Sequence, residues 1–174
     1  MTPVVESLIA HFKLVPLPAE GTLFASVWRS REEFPDGKPV GTSIVAMYSD
    51  DPPSMSRFHR LPVDEVWHFY SGDPLRLILL APDGTDRDVI MGSDPLSGHQ
   101  VQLVIPAGTW QAGHLVPGGR YALFGCTMAP GFTDDMFVGG TRDELLASHP
   151  SRRDDIDRLA CDAGATHMPL GFAR

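Results

Sequence analysis

The stretch Arg57–Leu75, RFHRLPVDEVWHFYSGDPL, gathers the residues of this chain best suited to chemistry. It brings His59, His68, Asp64 and Glu65 together among aromatic residues, around a turn that contains Pro62. A second patch, Pro106–His114, reads PAGTWQAGH. On a strand, residues of equal parity share a face, so Glu65, Trp67 and Phe69 point one way and Val66, His68 and Tyr70 the other. A hairpin turning near residues 62–64 would set His59 opposite Glu65. A carboxylate beside an imidazole raises its proton affinity and orients it as a base. The same pair supplies two ligands for a divalent metal. Equally, a His and a Glu in aromatic strands form a buried polar pair that only satisfies itself. Trp28, Trp67, Phe69 and Trp110 read first as core, although buried tryptophan also suits an apolar pocket with a few polar groups. Asp64 reads as a turn residue, and His11, His99, His149 and His167 as surface residues without partners.

The elements that must carry these residues are mostly strands. Gly and Pro, 17 and 16 in number, punctuate short apolar runs, the signature of an all-β sandwich or barrel. Strands are expected at 23–29, 41–48, 55–60, 65–71, 75–81, 86–91, 101–105, 110–115 and 120–128, separated by turn-formers such as PDGK, DDPP, GDP and PGG. The runs 75–81 and 101–105 are apolar at both parities, which suits a barrel wall with packing outside it. A helix should open the chain, with Thr2 as cap, Pro3 in the first turn, an apolar stripe to Phe12, and Pro16 and Pro18 as its stop. Near the C-terminus, Thr141 and Glu144 suggest a capping box for a helix 141–148. Ser151 suggests the cap of a second helix, 152–162, before a tail at 163–174. The expected division is a barrel with its helix over 1–150 and a helical extension over 151–174.

Composition sets the limits. A chain of 174 residues holds one domain with a sizeable core, and 43% hydrophobic against 21% charged residues excludes a disordered chain. The net charge of −8 and the lack of a Lys/Arg cluster argue against nucleic-acid binding. No apolar run is long enough for a membrane span. The acidic, non-basic start is unlike a secretory signal, and Cys126 and Cys161 make neither a disulfide framework nor a zinc cage. A reducing, cytoplasmic setting is the expectation.

Taken in order, FHRLPVDEVWHFYSGDPL, VIPAGTWQAG and GCTMAPGFTDDMF resemble the cupin superfamily, and within it an uncharacterised family with similar signatures over roughly residues 4–150. The resemblance implies a double-stranded β-helix, or jelly-roll barrel, that forms a homodimer. In the general cupin pattern His59, Glu65 and Gly72 match the first motif, and Pro106 and Gly108 the second. Leu61 stands where a metal-binding cupin has its second histidine, and Gln111 where the second motif has its own. In the segment LVPLPAEGTLFASVWRS, the residues Glu20, Gly21, Phe24, Arg29 and Ser30 also match the family, while Thr22, Ala25 and Ser26 depart from it.

Three functions compete. The first is an acid–base enzyme, such as an isomerase or epimerase, acting on a sugar-like or carbonyl-bearing metabolite. It would use His59 and Glu65 as catalytic residues, Gln111 as a ligand contact, and Trp67, Phe69 and Trp110 as apolar walls; a strand bulge would bring in His68. The second is a module that binds a small molecule or carbohydrate without turnover. The third is a degenerate metal cupin with His59, Glu65 and Gln111 around Fe, Ni, Mn or Zn. Leu61 and Gln111 disfavour that metal, since amide oxygen substitutes poorly for imidazole.

Overall fold

The computed structural model describes residues 1–173. Twelve strands form two antiparallel sheets. They are β1 (Val15–Pro16), β2 (Leu23–Arg29), β3 (Thr42–Asp50), β4 (Pro53–Ser54), β5 (Ser56–Arg60), β6 (Glu65–Gly72), β7 (Leu75–Leu80), β8 (Asp86–Met91), β9 (Gln102–Ile105), β10 (Trp110–Leu115), β11 (Tyr121–Met128) and β12 (Val138–Gly139). The larger sheet runs β1-β2-β3-β11-β6-β9, with β4 beside β3, and the smaller runs β12-β5-β10-β7-β8. The two sheets face each other as the halves of a jelly-roll barrel. Every expected strand is present, with ends within two residues. The three two-residue strands β1, β4 and β12 were not anticipated.

Residues 62–64 do not make a hairpin. β5 belongs to the smaller sheet and β6 to the larger, so this turn carries the chain from one sheet to the other. His59 and Glu65 therefore come from facing walls of the barrel rather than from neighbouring strands. At the far end of β6, Gly72 turns the chain into β7 with φ +100°, where a Cβ would lie 2.3 Å from the Tyr121 carbonyl oxygen. Only glycine meets both demands.

Tyr48, Trp67, Phe69, Leu77 and Phe124 fill the space between the sheets, with the Trp67 and Phe124 rings stacked at 4.7 Å. β7 is buried on both faces, as its apolar run requires. β9 is not: Gln102 and Val104 are exposed, because nothing covers the outside of this edge strand.

Helix α1 (Pro3–Phe12) packs Val5 against Leu23, Met47 and Leu123 on the outside of the larger sheet. It stops before the prolines. Lys13 takes the left-handed conformation, φ 56°, and the Lys13 and Leu14 N–H groups close back on the Ile9 carbonyl. Thr2 occupies the cap position without a side-chain bond.

Helices α2 (Arg142–Ser148) and α3 (Arg153–Leu159) cover the outer face of the smaller sheet, where Leu145, Ile156 and Leu159 meet Phe58, Ile78 and Trp110. The Thr141–Glu144 capping box does not form: Thr141 makes no side-chain cap bond, and Glu144 reaches Arg60 at 3.7 Å instead. A 3-10 turn over Pro150–Arg152 precedes α3, so Arg152 rather than Ser151 is its N-cap, and the helix ends three residues before the expected 162. Arg76 on β7 holds the Asp155 carboxylate of α3 with two bonds, 2.8 and 2.9 Å. Arg152 adds bonds to Asp86 and Asp88 on β8.

The segment after α3 is packed on the barrel through residue 173; Arg174 of the expected tail lies outside the described residues. Gly139 of β12 donates its N–H to the Thr166 carbonyl, 2.7 Å, and Met168 is buried.

Candidate functional site

A cavity of about 230 Å3 opens between the sheets at the barrel end that receives Glu20, His59 and Glu65. Its apolar walls include Leu17, Phe24, Ile44, Leu61, Phe132 and Phe137. The register of the larger sheet sets one polar-to-polar row across four adjacent strands: Arg29 beside Thr42, Thr42 beside Met128, and Met128 beside Glu65. All four side chains line the cavity. At about 4.8 Å between strands, the row puts the backbones of Arg29 and Glu65 roughly 14 Å apart.

His59 is 3% exposed and comes from β5 in the opposite wall. Its Nδ1 lies 2.9 Å from the Arg57 carbonyl oxygen. A carbonyl only accepts, so Nδ1 carries the hydrogen of the neutral ring and Nε2 is left with its lone pair. Nε2 lies 3.9 Å from Glu20 Oε2. The Phe137 ring stacks on the imidazole at 5.1 Å and 17°.

Glu65 opens β6. Its Oε2 accepts from Trp67 Nε1 at 2.9 Å and from Gln111 Nε2 at 2.8 Å. Burial pushes the Glu65 carboxyl above its ordinary range, and these two bonds, with His59 when it is protonated, only partly offset that. The Cys126 thiol beside it is raised well above its usual value by burial and by the two carboxylates, so it is an un-ionised neighbour rather than a nucleophile.

Sequence reasoning missed Glu20 as a site residue. The turn Leu17–Gly21 aims it inward, with Ala19 held at φ 63° and Gly21 at φ 95°. Thr22 Oγ1 and Ser56 Oγ donate to Glu20 Oε1 at 2.5 and 2.6 Å, and the Tyr48 hydroxyl donates to Ser56 at 2.5 Å. The available signal was the match of Glu20 to the resembled family's N-terminal segment.

Other expected site residues lie elsewhere. Gln111, 2% exposed, spends its amide on Glu65 and on Trp67 Nε1, 3.1 Å from its Oε1, and positions Glu65 from behind the cavity wall. Trp67 and Phe69 stay in the barrel core, further along β6. Trp110 faces outward beneath α2 and α3, with Arg60 4.4 Å from its ring centroid. None of these three lines the cavity. His68 points out of the barrel to Thr127 Oγ1, 3.2 Å away; the β6–β11 register shifts only at Leu123/Phe124, so no bulge turns it inward. His149, read as a surface residue, is 3% exposed at the end of α2.

The donor set does not fit a resident metal. Leu61 contributes an apolar wall where a second imidazole would be needed, and the Gln111 amide is already committed. Among the described residues no three His, Cys, Asp or Glu side chains converge as a ligand group.

A jelly-roll barrel with polar groups gathered at one open end is the architecture of the cupins. The chain belongs to one family of them: the family model described as cupin superfamily (DUF985) matches residues 6–138. Two solved structures are similar over nearly their full lengths. A hypothetical protein from Leishmania major is 26% identical, with a TM-score of 0.81, covering 90% of this chain and 98% of that one. A protein from Shewanella oneidensis is 28% identical, with a TM-score of 0.81, covering 89% and 96%. A variant of Bacillus subtilis oxalate decarboxylase shares the fold alone, at 18% identity and a TM-score of 0.52 over 85% of this chain and 37% of that one. No curated protein matches the sequence.

Proposed function

We propose that the cavity is an acid–base site for a small carbonyl-bearing metabolite, with His59 as the proton carrier and the reaction an isomerisation or epimerisation. One observation carries this reading. A buried imidazole with its Nε2 lone pair available stands with two buried carboxylates, Glu20 and Glu65, in a cavity whose remaining walls are mostly apolar.

Nε2 removes a proton from the carbon next to the carbonyl, and the electron pair moves onto the carbonyl oxygen. Glu20 then faces an imidazolium and stabilises it. Glu65, whose proton burial favours, donates a hydrogen bond to the developing oxyanion. Return of the proton to the other face completes an epimerisation. For an isomerisation the proton goes to the former carbonyl carbon, while Glu65 gives its proton to the first oxygen and takes one from the neighbouring hydroxyl, which becomes the new carbonyl. The volume limits the substrate: about 230 Å3 is below the ~300–1,000 Å3 of pockets for drug-sized ligands, so a sugar nucleotide would not be enclosed.

The test is solvent exchange. Small 2-hydroxy carbonyl compounds are incubated with the protein in deuterium oxide, and deuterium at the carbon next to the carbonyl is followed by NMR. Wild type exchanges and His59→Ala does not, while His59→Ala keeps the wild-type ligand-induced rise in melting temperature. Equal exchange by both proteins ends the proposal.

The apolar majority of the wall also supports a second reading, a binding module that holds the same kind of metabolite unchanged. It calls for a saturable shift in melting temperature with no exchange and no product by mass spectrometry.

A further inference from the structure

The end of the chain forms part of the cavity wall. Met168, Phe172 and Ala173 all line it, although they follow α3 and lie outside the barrel strands. The strap has few apolar anchors: Met168 is buried and Phe172 half-buried, while Leu170 is 95% exposed and Pro169 and Gly171 are exposed as well. Its tip is fixed by polar bonds. The Asp134 carboxylate accepts three backbone N–H bonds, from Gly171 at 2.6 Å, Phe172 at 3.0 Å and Ala173 at 2.7 Å. Arg29 Nη1 donates to the carbonyls of both Phe132 and Ala173, at 3.1 and 3.0 Å. The Phe172 ring meets Phe24 at 5.5 Å.

We infer that residues 167–173 are an openable strap over the cavity, latched by Asp134, and that Met168 and Phe172 select for an apolar tail on the ligand. The inference rests on the cavity being the working site, and adds to that reading the route of entry and the class of substrate: a small carbonyl compound whose far end is hydrocarbon. Side chains at the outer end of a cavity meet the part of the ligand furthest from the reacting groups. Here those side chains are a thioether and a phenyl ring, beside the Arg29 guanidinium, whose Nη1 is spent on the Phe132 and Ala173 carbonyls. A latch made of hydrogen bonds to one half-buried carboxylate opens at far lower cost than a strand of the barrel, because each bond exchanges readily for water.

Cys126 supplies a probe that needs no substrate: its thiol lines the cavity behind the strap, and the burial that chiefly keeps it un-ionised is relieved only when the strap opens to water, so its rate of reaction reports opening. In a Cys161→Ser background, its rate of modification by methyl methanethiosulfonate is measured by mass spectrometry at mildly alkaline pH. Asp134→Ala is expected to label faster than the parent by about tenfold or more, since loss of even one hydrogen bond to a charged group is worth that much. Phe172→Ala, which removes the ring from the cavity wall and keeps the latch, should also label faster. Melting temperatures should stay near the parent value. Should Asp134→Ala fold poorly, Asp134→Asn keeps one acceptor oxygen and gives a smaller increase in the same direction. Unchanged labelling in folded variants overturns the strap. So does parent labelling whose denaturant dependence equals that of global unfolding. Faster labelling together with exchange that survives in His59→Ala would instead sink the acid–base reading and leave the strap standing.

Discussion

Glu65 carries a conflict between stability and use. Burial favours its protonated form in the folded chain, so its carboxyl titrates above the ordinary value of 4.5. Between that value and the folded one, the native state holds more protons than the unfolded state, and stability falls as the pH rises. Glu65→Gln removes the charge while its amide oxygen still accepts from Trp67 and Gln111. Its melting temperature at pH 7 should therefore exceed that of wild type, and the gain should vanish below about pH 4.5, as calorimetry across pH would show. A gain independent of pH, or a loss at pH 7, would contradict the assignment. The same substitution should depress exchange, because the amide has no acidic proton to share with an oxyanion. That His59 and Glu65 face one space was legible from residue type and spacing. Their placement on facing sheets was not, and neither was Glu20, since nothing local to Pro18–Gly21 says which way that turn aims its carboxylate.

At the level of elements, alternation and turn-formers fixed the nine longer strands because both signals are local. β1, β4 and β12 have no such signal; they exist only where tertiary pairing extends a ladder by two residues. The capping box failed for a related reason: Glu144 found Arg60 on β5, a partner 84 positions away. Long-range ion pairs also set how α3 sits. Burial alone would raise the Asp155 carboxyl, but the bonds and charge of Arg76, Arg152 and Arg158 outweigh it and hold Asp155 below 3.8. The stabilisation is present above that value and lost as the pH falls through the lowered one. Asp155→Ala should cost about 1.5–3 kcal/mol in urea unfolding, the range for hydrogen bonds to charged groups, and should speed amide exchange in α3 before the barrel strands. Equal exchange in α3 with and without Asp155 would show that Ile156 and Leu159 alone dock the helix.

For the molecule as a whole, the resemblance implied the fold that the structure shows, and its first motif supplied His59 and Glu65, which line the cavity with Glu20; the departures from its motifs changed the chemistry expected there. With Leu61 and Gln111 in place of imidazoles, the chain should behave as a protein without a resident metal. Elemental analysis of protein purified without chelator should find less than about a tenth of an atom of Fe, Ni, Mn or Zn per chain, and a chelator should leave the melting temperature unchanged. Stoichiometric metal would restore the third reading. Pairing of two copies, which the resemblance implies, is checked by sedimentation equilibrium. The hydrogen bond from Gly139 to Thr166 has a mechanical consequence. Gly139 pairs with His59 in the ladder of β12 and β5, so Thr166 is moored one strand away from the imidazole. The swinging arm beyond that fulcrum is only seven described residues, a reach of about 23 Å at full extension. The part of the arm around Phe172 and Ala173 clears Arg29 and Phe132 while the fulcrum stays still, so a departing molecule would be uncovered tail first, with its reacting end the last part to meet water.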